Sequence, residues 1–239
     1  MSFVYFLAGD SYPEDRHVET ALAERLGKAG VEVVTQGQLG APAPVRRWQA
    51  SVRDRTAALQ ARIAAAGHPT PPFVVGRSSG AVVASMLSCR IPLAGVICLA
   101  YPFRPKGRVL EPERFSHLAD LKTRTLIIQG HRDRYGGLNV TSDYALSPRT
   151  SLRFVAAKHR LELDEPAWDR VAGWILAFMA EGPDARAWPI EDFDEGYYLR
   201  FNPDVAEAVG EGRFTSGLDH YRQRGHREAR AYRLLPPKG

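Results

Sequence analysis

Cysteine is scarce in this chain: two in 239 residues, Cys89 and Cys98. A disulfide framework is excluded by that count, and with Cys98 inside the apolar run Ala94–Ala100 both are expected to be buried free thiols. No apolar run approaches the length of a membrane span. Met1–Asp10 has no basic segment, and its apolar stretch is too short for a signal peptide, so the expected location is the cytoplasm. Long runs of Lys or Arg are also missing and the net charge is only +5. Nucleic acid is therefore not an expected partner, although the Arg-rich basic residues are compatible with a rim that favours anionic substrates. There is no internal repeat. What is present is ordinary for a globular protein, with 44% hydrophobic and 25% charged residues. The length suits one domain of about 200 residues with a small appendage. Such a domain buries roughly 70% of its unfolded surface and needs no staple.

Short apolar runs alternate with amphipathic stretches. Strands are expected at Phe3–Ala8, Val31–Thr35, Phe73–Val75, Gly95–Ala100, Thr125–Gln129 and Leu152–Ala156. Helices are expected at Pro13–Ala29, Val45–Ala66, Ser79–Cys89 and Pro166–Ala180. The last of these should turn Ala167, Val171, Trp174, Ile175 and Phe178 inward, with Asp164 as its cap. This alternation predicts an α/β fold, a mostly parallel sheet of about six strands with helices on both faces. The strands are nearly all apolar, as strands buried on both faces must be. Ligands of such sheets bind beyond the carboxyl ends of the strands, so the polar residues just after each strand matter most.

The composition shifts near residue 182. Gly182-Pro183-Asp184 breaks the last helix, and the acidic stretch Glu191–Glu195 follows. Asn202-Pro203-Asp204 reads as a turn with proline at a first helical position. The expected division is a domain over 1–182 and an appendage of two or three short helices over 190–235. A helix pair completing the core or making a homodimer contact is the plain reading of the appendage. His220 and His226 are too loosely spaced to make a metal site.

Gly76-Arg77-Ser78-Ser79-Gly80 matches G-x-S-x-G. Alone it is weak, since a chain of this length matches by chance about one time in twelve. Its setting adds weight, because it closes a strand and opens a helix, the context of a nucleophile elbow. A serine on that tight turn projects above the sheet, and the helix N-terminus adds a dipole and free N–H groups. The Ser79 N–H is one candidate oxyanion donor. The loop after the first strand, through Asp10 or Ser11, would supply the second.

A serine hydroxyl needs a base, and the base an orienting acid. Asp133 follows the strand Thr125–Gln129, and His159 follows Leu152–Ala156. Three groups of the right types thus occur in the order Ser, Asp, His, each just past a strand. His131 precedes the acid, while His68 and His117 look like surface residues. Asp10 departs from a simple acyl-transfer site, or else caps the helix that follows.

These residues, with Tyr101-Pro102-Phe103 and Gln129-Gly130-His131-Arg132-Asp133, resemble the α/β-hydrolase superfamily over roughly residues 3–180. They are most similar to its small, lid-poor, dienelactone-hydrolase-like branch. The resemblance implies a Ser78–Asp133–His159 triad, ester hydrolysis and no metal or organic cofactor. The His-Gly-rich first loop of that branch is replaced here by Ala8-Gly9-Asp10-Ser11. The segment Tyr101–Leu121 lies where the superfamily inserts a lid. It is short and carries Arg104, Lys106, Arg108 and Arg114, which read either as a solvated loop or as a basic rim that attracts anionic substrates, over a site expected to be open and shallow. Arg77, Tyr101 and Arg104 are the candidate substrate-binding residues. The appendage, through Asn202-Pro203-Asp204-Val205, Ser216-Gly217-Leu218-Asp219-His220-Tyr221 and Gly225, resembles a short bacterial module found beside glycosyltransferases. The expected partner is therefore a small-molecule or glycan-linked ester, with no nucleic acid and no membrane. Some members of this branch are scaffolds, so a hydrolase-fold binding protein is the alternative.

Overall fold

The computed structural model describes residues 3–40, 48–104, 111–137, 139–188 and 193–225, together with 228, 230 and 232. Val45, Lys106, Arg108, Glu191 and His226 lie outside the described residues.

Six strands run at β1 (Phe3–Leu7), β2 (Glu32–Val34), β3 (Phe73–Arg77), β4 (Gly95–Leu99), β5 (Thr125–Gly130) and β6 (Thr150–Val155). All pairings are parallel, in the order β2-β1-β3-β4-β5-β6. Each expected strand is present, with ends displaced by one or two residues. Every residue of β3, β4 and β5 is buried, which is why these runs are apolar without alternation.

The helices are α1 (Arg16–Lys28), α2 (Gln36–Leu39), α3 (Trp48–Ala66), α4 (Ser79–Ser88), α5 (Val140–Asp143) and α6 (Glu165–Ala180), then α7 (Glu195–Phe201), α8 (Pro203–Gly210) and α9 (Gly217–His220). They divide the core in two, as the pleat requires. Tyr5, Leu7 and Val74 pack toward α3 and α4, through Val52, Leu59 and Val83. Val4, Phe6 and Val75 pack toward α1 and α6, through Leu22, Trp168 and Ile175. On α6, Val171, Ile175 and Phe178 are buried, while Ala167 and Trp174 are only partly so, and Trp168 and Ala172 take the other inward positions. Asp164 caps this helix, its carboxylate accepting from the Ala167 N–H at 2.9 Å.

Two short helices escape the sequence pattern. One is α2, whose Thr35–Gln38 capping box stands in place of an apolar stripe. The other is α5. Three side chains also sit elsewhere than expected. Cys98 is buried, but Cys89 ends α4 as an exposed residue. His117 is half-buried, with Nε2 2.8 Å from Ser85 Oγ, and burial pushes its pKa down to about 4. His68 is partly covered and bonds the Tyr5 hydroxyl at 2.6 Å. Both histidines are held because a neighbouring hydroxyl gives the ring a partner away from water.

The strand order reverses between β2-β1 and β3-β4-β5-β6, which opens a crevice at the carboxyl ends of β1 and β3. Helices α7 to α9 follow as a small unit around Phe193, Tyr198, Val205 and Tyr221. Among the described residues, no helix is long and apolar enough to cross a membrane.

Candidate active site

Ser78 sits between β3 and α4 with φ 53° and ψ −120°, a conformation rare for any residue but glycine. The flanking glycines make that turn feasible. A Cβ on Gly76 would lie 2.3 Å from the Gly80 carbonyl oxygen, and one on Gly80 would lie 2.3 Å from the Leu7 carbonyl oxygen. Helix, turn and β1 thus meet at backbone contact, and only glycine fits at either position. The Ser78 N–H donates to the Leu99 carbonyl at 2.9 Å, anchoring the elbow to β4. As first residues of α4, Ser79 and Gly80 have N–H groups without an intrahelical acceptor, at the positive end of the helix dipole.

Ser78 Oγ is 3.0 Å from His159 Nε2, and His159 Nδ1 is 2.7 Å from Asp133 Oδ2. The serine and the acid come from the ends of β3 and β5, and the histidine from the loop after β6. The Asp133 side chain is fully buried. Its Oδ1 accepts from the Tyr135 N–H at 2.8 Å and its Oδ2 from Gln129 Nε2 at 3.1 Å. Three groups converge on one carboxylate, which fixes its orientation. The Tyr135 ring lies 4.3 Å from the His159 ring and limits its rotation.

These groups open into a cleft of about 770 Å³, lined by Asp10, Ser11, Glu14 and Asp15 from the segment after β1 and by Arg134, Tyr135, His159 and Arg160 from the loops after β5 and β6. Arg77, Ser78, Ser79, Pro102 and Arg114 complete it. Basic and acidic groups therefore both line the cleft around the serine.

Asp10 caps no helix. Its Oδ1 accepts from Ser79 Oγ at 2.5 Å, and the cap position of α1 falls to Asp15. Ser11 stands beside Asp10 in the cleft wall.

The three expected substrate-binding residues divide. Arg77 lines the cleft but is only 2% exposed. Its Nη1 is 2.8 Å from Asp15 Oδ2, within ion-pair distance though not aligned as a hydrogen bond, and its Nη2 donates to the His159 carbonyl at 3.3 Å. Burial lowers the pKa of this guanidinium and the nearby carboxylates oppose the shift. Its charge therefore ties three loops together. Tyr101 is wholly buried and does not line the cleft. Its N–H donates to Gln129 Oε1 at 2.8 Å and its hydroxyl to the Arg114 carbonyl at 2.5 Å, because the chain turns into the core directly after β4. Arg104 is exposed and outside the cleft lining, where its N–H bonds the Tyr135 carbonyl at 3.0 Å.

The sequence pattern passed over Asp15, Arg55 and Tyr135, and it placed Gln129 in the acid-loop motif without a role. Arg55 carried a signal, since it sits three residues after Val52 and four before Leu59, on the buried stripe of α3.

The alpha/beta hydrolase domain family matches residues 14–165, well over half of the chain, and the chain belongs to that family. Solved structures share the fold. A protein described as a hydrolase of the alpha/beta superfamily from Xanthomonas campestris is 19% identical, with TM-score 0.53 over 74% of this chain and 99% of that one. The ferulic-acid complex of Est1E from Butyrivibrio proteoclasticus is 13% identical, with TM-score 0.58 over 76% and 90%. A monoacylglycerol lipase from Paleococcus ferrophilus is 15% identical, with TM-score 0.55 over 74% and 94%. At such identities these likenesses speak for the fold alone, and they do not single out the dienelactone-hydrolase-like branch. No curated protein matches the chain.

Proposed function

We propose that the protein is a serine hydrolase acting on carboxylic esters of small, polar or anionic acyl compounds, with glycan-linked esters included. The observation that carries this reading is the continuous chain Ser78 Oγ to His159 Nε2 at 3.0 Å and His159 Nδ1 to Asp133 Oδ2 at 2.7 Å, set on a positive-φ elbow. His159 takes the Ser78 proton as Oγ attacks the ester carbonyl. The tetrahedral oxyanion lies against the N–H groups of Ser79 and of Asp10 or Ser11. His159 then protonates the departing alkoxide, leaving an acyl-serine. Water, activated by the same imidazole, cleaves the acyl-serine, releases the acid and restores Ser78. Asp133 holds the imidazole with its proton on Nδ1 and stabilises the imidazolium.

The preference for polar or anionic esters rests on the charged cleft walls. Among the described residues Arg134 has no carboxylate partner and stacks 5.2 Å over Tyr135, and the one ion pair of Arg160 is with exposed Glu162. Residues 1–182 are assigned as the hydrolase domain and 190–235 as the helical appendage. Among the described residues none beyond Arg160 lines the cleft, which favours turnover over a scaffold whose mouth is blocked by the described part of the appendage.

The test is labelling of the full chain by a fluorophosphonate probe, with the adduct mapped by mass spectrometry. An adduct on Ser78 that is lost in Ser78→Ala and His159→Ala supports the reading. A folded wild type that takes no label overturns it.

A further inference from the structure

We infer that Arg55, which lies on α3 outside the Ser78–His159–Asp133 set, is a positioning residue for the oxyanion site. It clamps the two backbone segments that bind the oxyanion and neutralises the Asp10 carboxylate beside them. The inference rests on the reading of Ser78 as nucleophile.

Arg55 is 4% exposed in the middle of a helix otherwise facing the core with Val52, Thr56 and Leu59. Its guanidinium forks. Nη1 donates to Ser79 Oγ at 3.0 Å, and Nη2 donates to the Ala8 carbonyl. Ser79 begins α4, and Ala8 leads into Gly9-Asp10-Ser11. One planar cation thus bridges both segments whose N–H groups face the oxyanion. The seam it closes is tight: a Cβ on Gly9 would come within 2.9 Å of Ser78 Cβ, and one on Gly80 within 2.7 Å of the Ala8 carbonyl oxygen. A planar fork suits two fixed acceptors better than a flexible ammonium does.

The second role follows from charge. The Asp10 side chain is half exposed and lines the cleft where the oxyanion develops. An isolated carboxylate there opposes the forming anion. Its Oδ1 accepts from Ser79 Oγ at 2.5 Å and lies 3.6 Å from Arg55 Nη1. A guanidinium does not deprotonate in a protein, so the counter-charge is permanent although burial lowers its pKa. Ser79 therefore has two tasks: its N–H faces the oxyanion, and its hydroxyl relays Arg55 to Asp10.

The test is the second-order rate at which a fluorophosphonate labels Ser78 in the full-length protein, together with kcat and KM for p-nitrophenyl acetate. Phosphonylation builds negative charge on the same oxygen position, so it reports the oxyanion site without knowledge of the natural substrate. Arg55→Met is expected to slow labelling about 10²-fold and to lower kcat with KM little changed, comparable with loss of one oxyanion donor. Adding Asp10→Asn to Arg55→Met is expected to restore at least about tenfold, because the uncompensated charge is gone. Labelling of Arg55→Met within about threefold of wild type, or no recovery in the double variant, overturns the inference. A merely structural Arg55 gives rates that follow the melting temperature and no rescue by Asp10→Asn. If Arg55→Met does not fold, Arg55→Lys decides the clamp: it keeps the charge but not the fork, so labelling about tenfold slower is expected and wild-type labelling overturns it. Failure of wild-type Ser78 to label is a different outcome, which overturns the triad reading and this inference with it.

Discussion

Asp133→Asn offers the sharpest probe of the site, because the substitution changes no shape and reverses one contact. Both carboxylate oxygens of Asp133 act as acceptors. Oδ1 takes the Tyr135 N–H at 2.8 Å, while Oδ2 takes Gln129 Nε2 at 3.1 Å and His159 Nδ1 at 2.7 Å. An asparagine has one acceptor and one donor group, so one face must now meet donors. With its NH₂ toward Tyr135, a buried backbone N–H loses its partner. With its NH₂ toward His159 and Gln129, Gln129 Nε2 loses this acceptor but keeps the Tyr101 and Gly136 carbonyls, while Nδ1 must become the acceptor and the ring proton moves to Nε2, facing Ser78 Oγ at 3.0 Å. In that tautomer the imidazole cannot take the serine proton. Because the backbone contact binds the oxygen to Oδ1, the second arrangement is favoured. The expected loss is about 10⁴-fold in kcat, the size associated with the wrong tautomer in a serine triad. Stability should fall by about 1–3 kcal/mol, the penalty for a mismatched buried polar group. The assay is p-nitrophenyl ester hydrolysis and the fluorophosphonate labelling rate near neutral pH, with urea unfolding alongside. Activity within tenfold of wild type in a folded Asp133→Asn protein would refute the assignment of Asp133 as orienting acid.

Two further outcomes follow from the buried charges. His117 is uncharged when folded, its pKa pushed by burial from the ordinary 6.5 to about 4, whereas the unfolded chain takes up the proton near 6.5. Stability is therefore full above about pH 6.5 and falls as the pH drops toward 4, by at most about 3 kcal/mol from this residue. Burial lowers His131 and His220 in the same direction, so the measurement is the difference between wild type and His117→Gln in urea midpoints at pH 7 and 4.5. An unchanged pH dependence in the variant would exclude His117 as its source. Asp15→Asn removes the counter-charge of Arg77, whose side chain is 3% exposed, and should cost about 3–5 kcal/mol as an uncompensated buried charge. A melting temperature within a degree or two of wild type would contradict that account.

The sequence by itself determined the layers and the order of the chemistry. Apolar runs of strand length without alternation, bounded by turn residues, read as strands covered on both faces, and all six appear within a residue or two of their expected ends. Glycines at 76 and 80 around Ser78, with Asp133 and His159 each just past a strand, were legible because the elbow and the triad order are local patterns. The rest depended on distance along the chain. Arg55 reaches Ser79 across 24 positions and Ala8 across 47, and although its place on the buried stripe of α3 was a local signal, no local pattern names those two partners. Arg77 and Tyr101 both belong to motifs of the resemblance, yet Arg77 lines the cleft with its guanidinium paired to Asp15, and Tyr101 turns into the core. His117 reads as a surface residue from its neighbours in sequence, and only the packing of Ser85 against it supplies the partner that holds it half-buried. Periodicity reports which face of an element is buried, while the partner of a buried polar group is fixed only when separate elements pack. For that reason the proposed triad could be read along the chain, and the bonds that Arg55 makes behind it could be read only in three dimensions.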